Sequence, residues 1–261
     1  MIREIQYHPE RPDTPEELFF RTVLFKLFNR IETWQALESQ LGPLTWSATD
    51  LDEVCRVLDE MMAQQKRLYS AAYIMPAPSF GYPRKHANHL ALLVQMMEDK
   101  LPDRIHQAPT LRSVYEMLAQ YRGIGPFLAY QYTIDLNYSN FLCHDEGTFV
   151  IAGPGALDGI AKCFSDPVIR DPEEIIYWVC ERQDREFAAL GLKFQSLFGR
   201  PLQPIDCQNL FCEVSKYARI AHPEIPGLSG RTRVKQTYRQ NPAPLSPLMF
   251  PPRWGIAIDR V

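Results

Sequence analysis

The chain has no CxxC pair. Its six cysteines, Cys55, Cys143, Cys163, Cys180, Cys207 and Cys212, stand apart within apolar segments, so they lack the ligand clustering of a structural zinc or an iron-sulfur centre. Reduced, buried thiols acting as small hydrophobes are expected, with no metal and no cofactor. Long hydrophobic runs are missing too. No stretch is apolar and uncharged enough to span a bilayer, and the opening MIREIQYHPERPDTPEELFF carries no signal-peptide core. A soluble, cytoplasmic protein without membrane contact is expected. Strand signals are few and short, and there is neither an internal repeat nor a low-complexity tract. An excess of positive charge is also lacking. The formal net charge of -3 argues against binding nucleic acid by bulk charge and leaves that task to local clusters.

What is present is strong helical patterning. The 261 residues, 46 % hydrophobic and 23 % charged, suffice for a core in one large or two small domains. Thr14-Pro15-Glu16-Glu17 supplies an N-cap, a proline at the first helical position and a glutamate three residues after the cap, which is a capping box. Phe20, Val23, Leu24, Leu27, Phe28, Ile31 and Trp34 follow at helical spacing. A second helix is expected from about Thr49, with Leu51, Val54, Leu58, Met61 and Met62 on one face. Others are expected over Ala87 to Leu101, Leu111 to Gln120 and Phe127 to Leu136. Asp171-Pro172-Glu173-Glu174 repeats the cap, proline and acid pattern. Asp206 is expected to cap the last long helix, with Leu210, Phe211, Val214 and Tyr217 facing inward. Seven of the 22 prolines fall in the last 39 residues. The expected organisation is a helical domain over residues 1–222 and an extended, basic and Pro-rich tail, residues 223–261, packed on it.

Between the two helical patterns of residues 111–136 stands LAQYRGIGPFLA (Leu118 to Ala129). Gly123 and Gly125 around Ile124 make a turn tight enough for two helices to fold back on each other, with backbone N–H groups exposed at the start of the second. Such a turn is a phosphate cradle, and it suggests a grip on the DNA backbone. Asp145 follows Gly125 by twenty positions. Two basic stretches add candidate phosphate contacts: RTRVKQTYR, with Arg231, Arg233, Lys235 and Arg239, and YPRKH, from Tyr82 to His86. Either is also readable as a solvated basic loop.

An all-helical chain with a GIG hairpin followed by this aspartate resembles the helix-hairpin-helix DNA glycosylase superfamily. There a motif L-x-G-h-G-x-x-x-A holds the DNA backbone, and an aspartate about twenty residues on lies beside the flipped nucleotide. Gly123, Ile124, Gly125 and Ala129 match the hairpin and Asp145 matches the acid. Phe127 stands where bifunctional relatives carry a Schiff-base lysine, so imine-based strand cleavage is not expected. FFRTVLFKLFNRIETW (Phe19 to Trp34), DEGTFVIAGPGALDGIAKCF (Asp145 to Phe164) and DCQNLFCEVSKYARI (Asp206 to Ile220) resemble a narrower group, the helical proteins of thymine hypermodification. That group comprises the alpha-glutamyl or putrescinyl thymine pyrophosphorylases and the helical domain of 5-hydroxymethyl-deoxyuridine DNA kinases. The resemblance implies an all-α, DNA glycosylase-like fold acting on double-stranded DNA that carries a modified thymine, in a setting that includes the cytoplasm of a bacteriophage host. It also implies an amine or amino acid donor and a separate 5-hydroxymethyl-uracil DNA kinase as partners. No GxxxxGK[ST] loop occurs here, so this chain is not expected to be the kinase.

Within that frame each candidate has a role and a plain structural alternative. Asp145 or Glu146 is the candidate general base for an incoming ammonium, or a helix cap or surface carboxylate. Gly153-Pro154-Gly155-Ala156 either presents N–H groups to a departing phosphate or pyrophosphate, or is a tight packing turn. Arg21, Lys26, Asn29 and Glu32 line a base pocket or form a solvated helix face. Asp206, Asn209, Glu213 and Lys216 share one helix face and join that pocket, with a Glu213 to Lys216 surface pair as the alternative. The function expected is displacement of a phosphate or pyrophosphate from the 5-methylene of a flipped uracil base by an amine or amino acid. A monofunctional glycosylase and a DNA-binding module that only positions the kinase are the rivals.

Overall fold

Thr14 opens the first long helix as its sequence predicts, with its hydroxyl accepting the Glu17 N–H at 3.4 Å. The reciprocal half of the capping box does not form. The Glu17 carboxylate instead accepts the N–H groups of Trp46 and Ser47, at 2.8 and 3.1 Å, and so fixes a loop 29 residues away. The computed structural model describes residues 1–71, 75–164, 171–194, 196–234, 240 and 247–256. Among them the chain is all α, with ten α-helices and no strand. It divides into two compact units, Met1–His144 and Asp145–Val261.

The first unit contains α1 (Pro15–Phe28), α2 (Ile31–Leu41), α3 (Leu51–Ala63), α4 (Lys85–Glu98), α5 (Leu101–His106), α6 (Leu111–Ala119) and α7 (Pro126–Asn137). Helix α1 is buried all round, from Leu18 to Phe28, and therefore lies at the centre of this unit's core. The polar positions that periodicity assigns to solvent are buried with it. The apolar spacing that runs on to Trp34 is cut at Asn29, whose left-handed backbone (φ 48°) ends α1. Asparagine tolerates that conformation through its short polar side chain. Ile31 and Trp34 thus belong to α2. In α3, Val54, Val57, Leu58 and Met61 are buried, while Met62 is exposed.

The second unit contains α8 (Pro154–Cys163), α9 (Pro172–Ala189) and α10 (Pro204–Ala221). Asp171 caps α9 by accepting the Glu174 N–H at 3.1 Å, as its sequence predicts. Helix α10 starts three residues earlier than the pattern suggests. Gln203 holds the cap position, and Asp206, in the first turn, accepts the Gln203 N–H at 2.8 Å. The buried face also differs from expectation. Ile205, Cys207, Phe211, Ser215 and Ala218 are buried, whereas Leu210, Val214 and Tyr217 are exposed. Helices α8 and α10 cross closely. A Cβ on Gly159 would lie 2.0 Å from the Phe211 carbonyl oxygen, and one on Gly155 would lie 2.9 Å from the Cys212 sulfur. Glycines four residues apart on one face of α8 make that approach possible.

Candidate nucleic-acid interface

The hairpin is the α6 and α7 pair with the turn between them. Ile124 is buried and its N–H donates to the Tyr121 carbonyl at 3.0 Å, which tightens the turn. Gly123 takes φ +87°, and a Cβ there would press on Pro78 at 3.2 Å, so both backbone and space require glycine. Gly125 differs in kind. It is the N-cap of α7, followed by Pro126 at the first helical position. It is exposed, and a Cβ on it would meet open space. Its outer side is the unobstructed helix N-terminus that a phosphate oxygen would approach.

A polar cleft of about 470 Å³ runs beside this turn, lined by Phe80, Gln95, Arg104, Gln120, Tyr121 and Arg122 among others. The exposed Arg122 side chain donates to the Ser79 carbonyl at 3.3 Å. The Tyr121 hydroxyl donates to Asp99 at 3.0 Å. Burial, reinforced by that carboxylate, pushes the phenol up to about 12, so it remains a donor at neutral pH. Sequence reasoning did not single out Arg104 and Arg122, the two cations that line this cleft. Arg122 directly precedes Gly123, and that adjacency was the signal available. Arg104 reaches the cleft from α5, which spacing does not reveal.

The four polar residues of Phe19 to Trp34 do not line one pocket. Arg21, 1 % exposed, donates to the carbonyls of Ile5 and Pro12 at 3.0 and 2.6 Å. Lys26 pairs with Asp135 of α7 at 2.7 Å. Asn29 ends α1, and Glu32 pairs with Arg30 at 3.1 Å on an exposed turn.

In the second unit the adjacent acids part company. Asp145 is exposed and caps the short turn Glu146–Thr148, its Oδ1 accepting the Gly147 N–H at 2.8 Å. Glu146 is 6 % exposed. Its Oε2 accepts from Arg200 at 2.8 Å, and its Oε1 accepts from Trp254 Nε1 at 2.7 Å and from Arg253 at 3.2 Å. The Arg200 guanidinium stacks 3.8 Å from the centre of the Trp254 ring. It also reaches Asp206 at 3.4 Å. Burial raises the Asp206 carboxyl, and the Gln203 N–H and Arg200 oppose that rise. Glu146 is thus a pinned structural carboxylate, while Asp145 keeps contact with solvent.

The Gly153 to Ala156 turn is committed to packing. Gly155 rests on Cys212. Burial pushes the Cys212 thiol up, while the Ala156 N–H directed at its sulfur opposes that. The Ala152 N–H, next to the cap, is taken by the Glu173 carboxylate at 2.8 Å, and a second anion there would face that charge. On α10, Glu213 and Lys216 form an exposed pair at 2.6 Å, and Asn209 is half-buried. Arg231 and Arg233 are exposed, while Lys235 and Arg239 lie outside the described residues.

A second buried carboxylate, Asp158, lies under the segment that leads to those arginines. It accepts from Ser215 at 2.5 Å, from the Ser229 N–H at 2.8 Å and from Arg219 at 3.4 Å. Burial favours its neutral form, but these donors outweigh that and hold the carboxyl well below the usual range. A Cβ on Gly227 would lie 2.2 Å from its Oδ1, so Gly227 lets the chain run directly over the carboxylate. No described helix is long and apolar enough to cross a membrane.

The family model described as 5-hmdU DNA kinase, helical domain, matches residues 1–227. That stretch takes in the hairpin, both acids, and Asp158 with its partners Ser215 and Arg219. No curated protein and no solved structure matches the chain.

Proposed function

We propose that this chain, which belongs to the family of 5-hmdU DNA kinase helical domains, performs an amine-transfer step of thymine modification in DNA. The observation that carries the reading is the family match across residues 1–227. The hairpin supports the DNA grip, since Gly125 leaves the start of α7 open and Arg104 and Arg122 stand beside it. The target base is taken out of the stack, because its 5-substituent lies in the major groove, where a duplex cannot enclose both nucleophile and leaving group.

In the step itself, an amine or amino acid nitrogen attacks the 5-methylene carbon of a phosphomethyl- or pyrophosphomethyl-uracil. The carbon–oxygen bond breaks, the phosphate or pyrophosphate leaves with the bonding electrons, and the ammonium loses its proton to a general base. Of the two acids, Asp145 is the one assigned to that base. It is exposed, whereas both oxygens of Glu146 are occupied by cations and an indole N–H.

A specific observation favours a second reading. Asp145 has a complete structural role as the cap of its turn, which fits a binding module that positions a separate 5-hydroxymethyl-uracil DNA kinase. Mass spectrometry of nucleosides separates the two. DNA bearing 5-phosphomethyl- or 5-pyrophosphomethyl-uracil is incubated with amino acids and polyamines and with wild type or Asp145→Asn. An amine-bearing nucleoside made only by wild type supports transfer and names the donor. Unmodified nucleosides with retained DNA binding support the module, and abasic sites point instead to glycosidic cleavage.

A further inference from the structure

In the first unit a cluster unrelated to the hairpin brings together a thiol, a carboxylate and an imidazole. Cys55 and Asp59 stand four residues apart on one face of α3, and His86 sits in the first turn of α4. Their ligand atoms all lie within 4.8 Å of one another. His86 is fully buried, and neither of its ring nitrogens makes a hydrogen bond among the described residues. Its Nε2 lies 3.2 Å from Asp59 Oδ1, near enough for attraction but off the N–H direction. A buried imidazole whose Nδ1 has no hydrogen bond and whose Nε2 has only a misaligned carboxylate beside it is under-compensated for its desolvation, so the site has room for a further partner at that nitrogen.

We propose that Cys55, Asp59 and His86 bind a zinc ion that clips α3 to α4. Thiolate, imidazole and carboxylate are the borderline-soft donor set that zinc takes. The 3.2 Å between nitrogen and oxygen is close to the edge of a tetrahedron whose ligands stand about 2.0–2.2 Å from the metal. The Cys55 sulfur closes by roughly 1 Å through side-chain rotation to complete the face. Binding releases the thiol proton to solvent. The Asp59 side chain is 47 % exposed, which leaves the fourth position to water. Arg84, 3.6 Å from the same carboxylate oxygen and itself exposed, turns to solvent when the ion enters. Spacing does not announce this site, because His86 is remote in sequence from the α3 pair and no cysteine doublet marks it.

Cobalt(II) titration of the full chain, stripped of metal by dialysis against chelator, tests the proposal. Wild type is expected to bind about one cobalt per chain, with a thiolate-to-metal charge-transfer band and the strong visible bands of a tetrahedral ion, both displaced by zinc. Cys55→Ser is expected to lose the charge-transfer band, and His86→Gln and Asp59→Asn to weaken binding at least tenfold. Cys143→Ser, which alters an exposed cysteine elsewhere, leaves the spectrum unchanged. Circular dichroism identifies a variant that fails to fold, and the exposed Asp59→Asn carries the test if His86→Gln does. Absence of the band in wild type, or its survival in Cys55→Ser, overturns the proposal.

Discussion

Glu146 accepts a 2.7 Å hydrogen bond from the indole of Trp254, 108 residues further along the chain. The same carboxylate holds Arg200 and Arg253, and the Arg200 guanidinium carbon stands 3.8 Å from the centre of the Trp254 ring. One acid therefore ties the turn before α8 to the loop before α10 and to the segment Pro252–Trp254. Two cations and an N–H on a buried carboxylate make removal of that carboxylate costly, because the largely buried Arg200 is then left with the longer 3.4 Å contact to Asp206.

Glu146→Ala is accordingly expected to destabilise the second unit by about 3 kcal/mol or more, visible as a lowered thermal midpoint. Asp145→Asn, at an exposed cap, is expected to cost no more than about 1 kcal/mol. Nucleoside analysis should nonetheless show its product abolished if Asp145 is the base. Equal stability losses for the two variants would contradict the division of labour between these neighbours.

The glycines make a second, internally controlled set. Gly159→Ala forces a methyl group onto the Phe211 carbonyl and should cost about 3 kcal/mol or more, since backbone atoms on both sides must move. Gly123→Ala combines a positive φ with contact on Pro78, and a loss of roughly 1–3 kcal/mol is expected. Gly125→Ala faces open space at an ordinary φ of -76°, so stability should change by no more than about 1 kcal/mol. DNA affinity should fall, as a methyl group covers the helix start. Urea denaturation and fluorescence anisotropy on a duplex read the two effects separately.

These residues also mark what the sequence discloses and what it hides. Helix existence, the Asp171 cap and the GIG hairpin are legible because each depends on residues within a turn or two of one another. Asn29 was not legible as a helix end, since the apolar spacing continues past it to Trp34 and only the backbone shows the break. The Glu17 side chain could have closed a capping box, yet a tertiary partner, the Trp46 to Ser47 loop, holds it instead. Glu146 and Asp145 look alike in sequence. What separates them is Arg200, Arg253 and Trp254, at 54, 107 and 108 residues' distance, beyond the reach of any local pattern. The same holds for the glycines of α8, whose packing partner is α10.

Acid should weaken the first unit through His89. Its Nδ1 meets the Tyr69 hydroxyl at 3.0 Å and its Nε2 meets the Pro76 carbonyl at 3.2 Å, which suits the neutral ring. Burial pushes its pKa down to about 4, with Lys85 and His86 adding to the fall and the Pro76 carbonyl opposing it. As pH drops below about 6.5 the unfolded histidine takes a proton that the folded one refuses until about pH 4. Its contribution is therefore intact above pH 6.5 and is lost progressively from there down to pH 4, by roughly 3 kcal/mol. Urea midpoints of metal-free protein against pH should fall across that window, and His89→Gln should flatten the fall. His86, also pushed down by burial, accounts for part of what remains.

Salt dependence offers the most direct test of the hairpin face. If Arg104 and Arg122 contact phosphates, each contact releases condensed counterions, and the logarithm of the binding constant falls against the logarithm of salt concentration with a slope near 0.9 per contact. Arg122→Gln should then lower that slope by about 1 and weaken binding uniformly across duplex sequences, because phosphate contacts carry no base information. Arg104→Gln should act in the same way. Tyr121→Phe removes only the hydrogen bond to Asp99, so it frees that acid beside the arginines without deleting a cation. It should weaken binding while leaving the number of released ions unchanged. A slope that stays constant in Arg122→Gln would move the DNA contact away from the cleft and toward the exposed Arg231 and Arg233, whose replacement should then reduce it.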